Sequence, residues 1–178
     1  GLFLGYYSAG EYIVYGAQLE QGSYATSYIP TNGSAVTRVG DVCNNGANEQ
    51  VINSTEGVLY VEMSALADDG TERYIYLGDG TTANRVVIRF SPTINDLRML
   101  VTSGGSTQVS SGTTNYNITN LNKIALKYKQ NDFALWVNGV EALVDTNGST
   151  PIGMDELSLS YSGTEFKGNI NDVRVYNT

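Results

Sequence analysis

The chain has 178 residues, 41% of them hydrophobic and only 16% charged, which specifies one folded, well-buried core and excludes a disordered tail. Lys and Arg total 10 against 18 Asp and Glu, a net charge of −8, the wrong sign for binding nucleic acid or an acidic membrane surface. Histidine is absent and cysteine occurs once, so the commonest general base, the commonest zinc ligand and any intrachain disulfide are all excluded.

In chain order, the opening GLFLGYYSAG has neither a Met nor a basic n-region, and reads as the cut edge of a larger protein rather than a signal peptide. Glu11 to Ala17 (EYIVYGA) predicts a strand, and Gln18 to Pro30 an extended, turn-rich return. Thr31-Asn32-Gly33-Ser34 is linker-like. These features divide the chain into a short β segment, 1–36, and a main domain, 37–178. The segment's Tyr6, Tyr7, Tyr12, Ile13, Val14 and Tyr15 carry more apolar surface than one strand covers, and an open apolar edge invites another chain. Cys43 suits either a small buried apolar position or a reactive thiol.

Beyond residue 37 the pattern is short alternating strands. Leu59, Val61, Met63 and Ala65 alternate with Tyr60, Glu62 and Ser64. Ile75 and Leu77 oppose Tyr74 and Tyr76; Val86, Ile88 and Phe90 oppose Arg85, Val87 and Arg89; Leu97, Met99 and Val101 oppose Arg98 and Leu100. Ile124, Leu126 and Tyr128 alternate with lysines. Phe133, Leu135 and Val137 share a face opposite Ala134 and Trp136, and Asn138-Gly139 after them is the strongest two-residue hairpin signal in the chain. Leu157 and Leu159 mark a further strand, Val173 and Val175 the last. Gly/Asp/Asn turns separate them, no stretch predicts a helix, and no apolar run is long enough to span a bilayer. Strands so spaced, with one apolar face each, predict two packed antiparallel sheets.

Candidate chemistry follows from the non-core faces. If the strands around Tyr74, Arg85 and Leu97 are neighbours, one sheet face presents Tyr74, Tyr76, Arg85, Arg89, Arg98 and Leu100. Aromatic rings stack on sugar C–H groups, and arginine forks pair with carboxylate or sulfate. The alternative is an ordinary outward face with Arg–carboxylate pairs of little energy. Trp136 is either packing within its sheet or an exposed sugar platform. Asp68-Asp69-Gly70-Thr71-Glu72 places three carboxylates in one loop, as calcium requires, with Asp68 and Asp69 as candidate ligands; the same residues also make an ordinary solvated turn. A Ser or Cys triad of the usual kind is unavailable without histidine. Glu62, with Ser64 two residues on, is the nearest isolated carboxylate on a strand, whereas glycoside hydrolysis needs two held about 5–10 Å apart, and a pair assembled across strands leaves no mark in the sequence.

Two sets of residues resemble known families. Tyr15 to Asp41, YGAQLEQGSYATSYIPTNGSAVTRVGD, resembles a phrase of bacteriophage structural and tail-associated proteins, where it closes one jelly-roll module and leads into the next. STEGVLYVEMSA, NDFALWVNGVE and GNINDVRVYN resemble the early strand, late hairpin and closing strand of concanavalin A-like, laminin G-type lectin domains. The resemblance implies an all-β concanavalin A-like antiparallel sandwich, or jelly roll, preceded by a short β segment. It implies a non-catalytic carbohydrate-binding or host-adhesion module on a virion surface, whose partners are a host-surface glycan, other virion subunits and further copies of itself, as a trimer. A purely structural module of a fibre is the other reading. Same-fold glucanases resemble one another through a Glu-x-Asp-x-Glu strand motif that this chain lacks. Laminin G-type relatives often bind calcium, which keeps that ion as a possible cofactor.

Overall fold

The computed structural model describes residues 16–20, 27–37, 46–161 and 164–177. The chain divides into two compact units, Gly1–Val39 and Gly40–Thr178. In the first, the Gln18 side chain acts as a clasp: its Oε1 accepts the Ile29 N–H at 2.8 Å and its Nε2 donates to the Ser27 carbonyl at 3.4 Å. The strand expected at Glu11 to Ala17 lies outside the described residues except for Gly16 and Ala17, which are not in a strand, and so do Tyr6 to Tyr15 and Cys43.

The second unit is an all-β sandwich, and no helix occurs among the described residues. Its strands are β1 Glu56–Ala65, β2 Arg73–Gly78, β3 Arg85–Phe90, β4 Leu97–Ser103, β5 Ser106–Thr113, β6 Asn122–Lys129, β7 Phe133–Val137, β8 Val140–Asp145, β9 Glu156–Ser158, β10 Ser160–Tyr161, β11 Thr164–Glu165 and β12 Gly168–Tyr176. One five-stranded sheet runs β12-β1-β6-β7-β8 and the other β5-β4-β3-β2-β9, while β10 and β11 form a two-stranded ribbon of their own. All the pairings are antiparallel.

Alternation decides which side chains go inside, because successive residues of a strand point to opposite faces. Leu59, Val61, Met63, Ile75, Leu77, Val86, Ile88, Phe90, Leu97, Met99, Val101, Ile124, Leu126, Phe133, Leu135 and Val137 are fully buried between the sheets. Each such side chain removed from water contributes about 1.5–3 kcal/mol, so this layer holds the sandwich together. The β7–β8 hairpin closes on Asn138 and Gly139 with φ of 53° and 83°, the doubly left-handed backbone that the dipeptide predicts. Gly104 and Gly105, at 56° and 78°, make the equivalent turn between β4 and β5. β5 itself, STQVSSGT, is not predicted by sequence: it is an edge strand in which Val109 is the one buried apolar side chain.

Candidate functional site

The neighbours assumed for the candidate face are the ones observed. β2, β3 and β4 are adjacent, and their register sets Tyr74, Arg89 and Arg98 in one lateral row and Tyr76, Val87 and Leu100 in the next. A third row holds Gly78, Arg85 and Thr102. Sequence reasoning therefore assembles this face correctly.

It does not foresee how closed the face is. Val87, an outward residue by alternation, is 0% exposed, because Tyr74, Tyr76, Leu100 and Tyr161 pack over it as a second small apolar cluster. Tyr161 arrives from β10, and its ring lies 4.7 Å from that of Tyr74. Tyr74 and Tyr76 are consequently buried, and burial, followed for Tyr74 by the Glu72 hydrogen bond, pushes both phenols above their ordinary range. The Tyr74 hydroxyl donates to Glu72 Oε2 at 2.6 Å and that of Tyr76 to Glu156 Oε1 at 3.2 Å. Glu72 also takes Arg89 Nη1 at 3.1 Å.

The three arginines of the face differ. The Arg89 side chain is 19% exposed and tied to Glu72, and Arg98 is 35% exposed with its Nε 3.1 Å from Asp96 Oδ2, in a geometry that makes no hydrogen bond. Gly112 makes room for that pair, since a Cβ there would fall 2.6 Å from both Arg98 Nε and Asp96 Oδ1. Arg85 is buried, its guanidinium 4.4 Å above the Tyr161 ring, and its Nε and Nη1 find no hydrogen-bond partner. The open part of the face is the side toward β5, where Arg98, Leu100 and Ser110 are accessible. Arg73, four residues before Leu77 and so on the same inward face, is buried at the start of β2 instead.

Asp68 and Asp69 are not brought together as ligands. Asp68 Oδ2 accepts the Asn95 N–H at 2.8 Å, and Asp69 Oδ1 accepts the Thr71 N–H and Arg73 Nη2, both at 3.0 Å. Burial pushes the Asp69 carboxyl up, but the bonds from Thr71 and Arg73 outweigh it and hold the group below its ordinary range. Among the described residues no three acidic, cysteine or histidine side chains converge on a metal position. In this arrangement the carboxylates of Asp68 and Asp69 brace the Asn95 and Thr71 backbone and Arg73.

On the opposite sheet, Trp136 stands on the outer face, 40% exposed, opposite Ala125 and beside the β7–β8 bulge that sets it against Glu141. The buried packing role weighed for it is thus overturned. Glu62 gains an acidic neighbour that no local motif reveals, because Asp172 of β12 lies directly across from it. Both are already engaged: Glu62 takes the Tyr60 hydroxyl at 2.6 Å and Lys123 Nζ at 3.6 Å, and Asp172 takes Arg174 at 2.6 Å.

No protein-family model matches the chain, and no curated protein matches it in sequence. Solved structures match its fold. Domains LG4-5 of the mouse laminin α1 chain superpose with a TM-score of 0.59 at 10% identity, covering 79% of this chain and 44% of that one. The carbohydrate-binding module CBM66 from Bacillus subtilis gives 0.51 at 8% identity, covering 69% and 76%. A native glycosidic hydrolase gives 0.53 at 12% identity, covering 69% and 65%. The sandwich is thus concanavalin A-like and laminin G-like, a fold that hosts both binding proteins and an enzyme.

Proposed function

We propose that the chain is a non-catalytic carbohydrate-binding module, and that its finer role is adhesion to host-surface glycans on a phage tail or virion. The observation that carries the binding reading is the β2–β3–β4 outer face. It gathers Tyr74, Tyr76, Arg85, Arg89 and Arg98 in a chain of net charge −8, and leaves Arg98 and its surroundings open. Arg89 and Arg98 sit directly opposite each other, a like-charge pairing that Glu72 and Asp96 offset and that a bound anion would offset further. The likeness of fold to a carbohydrate-binding module adds support without naming a sugar. A hydrolytic role for the cross-strand pair Glu62 and Asp172 would compete with Tyr60 and Lys123 at Glu62 Oε1 and with Arg174 at Asp172 Oδ2. The virion setting and a homotrimer rest on the resemblance of Tyr15 to Asp41 to phage proteins. Light scattering that finds the full chain monomeric at micromolar concentration would remove the trimer.

The binding test is retention of the full chain on immobilised neutral and acidic polysaccharides. Arg98→Ala and Arg89→Ala should each weaken retention on the acidic members, and the difference from wild type should shrink as salt rises, because salt screens exposed charges. Wild-type retention on none of the panel would leave the fibre-structural reading in its place.

A further inference from the structure

Arg85 is the least accounted-for group in the sandwich. It is 9% exposed and makes no ion pair or hydrogen bond with any described residue, although the chain holds 18 acidic side chains. Its guanidinium lies over the Tyr161 ring at 4.4 Å, a contact that acts on the flat face and leaves Nε and Nη1 at the edge unpaired. Nε and Nη1 are both enclosed without an acceptor. Burying a charge this way is costly, and proteins retain such an arrangement where the missing partner comes from elsewhere.

The surroundings indicate what that partner is. Across the strands Arg85 faces Gly78 on β2 and Thr102 on β4, so one neighbour has no side chain and the other is a hydroxyl. The nearest acidic strand residue, Glu156 on β9, spends its Oε1 on the Tyr76 hydroxyl. What closes the site is Tyr161, held on a two-residue strand that pairs only with the two residues of β11. Turning that ring aside uncovers the guanidinium on the face it shares with the rings of Tyr74 and Tyr76. An arginine fork takes two oxygens of one carboxylate or sulfate, and the aromatic flanks take the C–H face of a sugar ring.

We propose that Arg85 is the anchor of an acidic-sugar site: it receives the carboxylate or sulfate ester of a glycan, with Tyr161 giving way as the sugar enters. This rests on the carbohydrate-binding reading and specifies its ligand.

The test uses the full chain labelled with nitrogen-15 and follows the Arg85 Nε–H resonance, assigned by its loss in Arg85→Lys. Glucuronate and glucose 6-sulfate should shift it saturably, one or both according to which anion the site prefers, and glucose should not. Arg85→Met should lower retention on acidic polysaccharide about tenfold or more, the loss of a charge-assisted bond, without lowering retention on neutral polysaccharide. It should also leave the denaturation midpoint unchanged or raise it, because an unpaired buried charge is replaced by an apolar chain of similar length. An unmoved resonance with both anions overturns the proposal, while retention on neutral glycans would leave the carbohydrate reading standing. A clear fall in the midpoint of Arg85→Met overturns it too, because Arg85 would then be held by the fold for its own sake. Retention on no polysaccharide together with an unmoved resonance removes both readings.

Discussion

Two arginines of the same sheet are buried almost completely, and they are treated in opposite ways. Arg73 faces the core end of β2 and is 1% exposed. Its Nε donates to the Lys167 carbonyl at 2.5 Å, its Nη1 to the Thr71 carbonyl at 2.8 Å and its Nη2 to Asp69 at 3.0 Å. Arg85, on the outward face of β3, is 9% exposed and has none of these. Burial alone therefore says little about what a charged residue is for. Arg73 ties the loop before β2 to the connection before β12, and its partners are all supplied by the fold. No described residue offers an acceptor to Arg85 Nε and Nη1.

The largest effect that would break this comparison concerns Arg73. Arg73→Ala removes a fully buried guanidinium from the Lys167 and Thr71 carbonyls and the Asp69 carboxylate, and should cost about 3–5 kcal/mol in chemical denaturation. A loss comparable to that of an exposed arginine would mean the two buried arginines are equivalent after all.

Tyr128 extends the comparison to a neutral group. Its ring is fully buried, its hydroxyl donates to the Asn53 carbonyl at 2.9 Å, and burial pushes its pKa up to about 12 from 10.0. The folded value lies above the unfolded one, so the associated stability is complete below pH 10 and is lost as pH rises towards 12. The separation corresponds to roughly 2–3 kcal/mol. Stability measured from pH 9 to 12 should fall more steeply for wild type than for Tyr128→Phe. Parallel curves would show that the phenol ionises as readily inside as out. Tyr60 is also raised to about 12, but through the hydrogen bond to Glu62 first and burial second, so its titration should respond to Glu62→Gln.

The smallest effect sharpens the other end of the scale. On the outer face of the first sheet Lys123, Lys129 and Arg174 each reach a carboxylate, of Glu62, Glu56 and Asp172, while remaining more than half exposed. Lys123→Ala should change stability by no more than about 1 kcal/mol, less still in high salt. A larger loss in a denaturation series would show that this outer face is more tightly coupled than its exposure indicates.

Strand alternation made the core legible, since every inward residue named from Leu59 to Val137 follows the period of two. The Asn-Gly turn was legible because few residues accept its backbone. β5 was not, because an edge strand can be polar nearly throughout and Val109 alone carries no period. The candidate face was legible as a set of neighbours but not as a surface. Its closure depends on Tyr161, a residue of a two-residue strand far along the chain, and no local pattern announces a contact of that kind. Trp136 escaped for a related reason: alternation gives its face, whereas only the assembled sheet, with the small Ala125 opposite and the bulge beside it, leaves it 40% exposed.

The pairing of the first strand of the sandwich with the last also has a mechanical side. Val58 near the start of β1 pairs with Tyr176 near the end of β12, and the Asn53 N–H is held by Asn177 Oδ1 at 3.1 Å, so the chain enters and leaves at one end of the sandwich. Tension applied between those two points pulls the ladder open one hydrogen bond at a time, beginning at the Asn53–Asn177 clasp, and peels the edge strand β12 from its sheet. Moving one attachment point to Ala65, which pairs with Gly168 at the far end, would load all the bonds of the ladder in shear. Single-molecule pulling should therefore find a lower rupture force in the first geometry than in the second, and equal forces would place the resistance elsewhere than in the β1–β12 ladder.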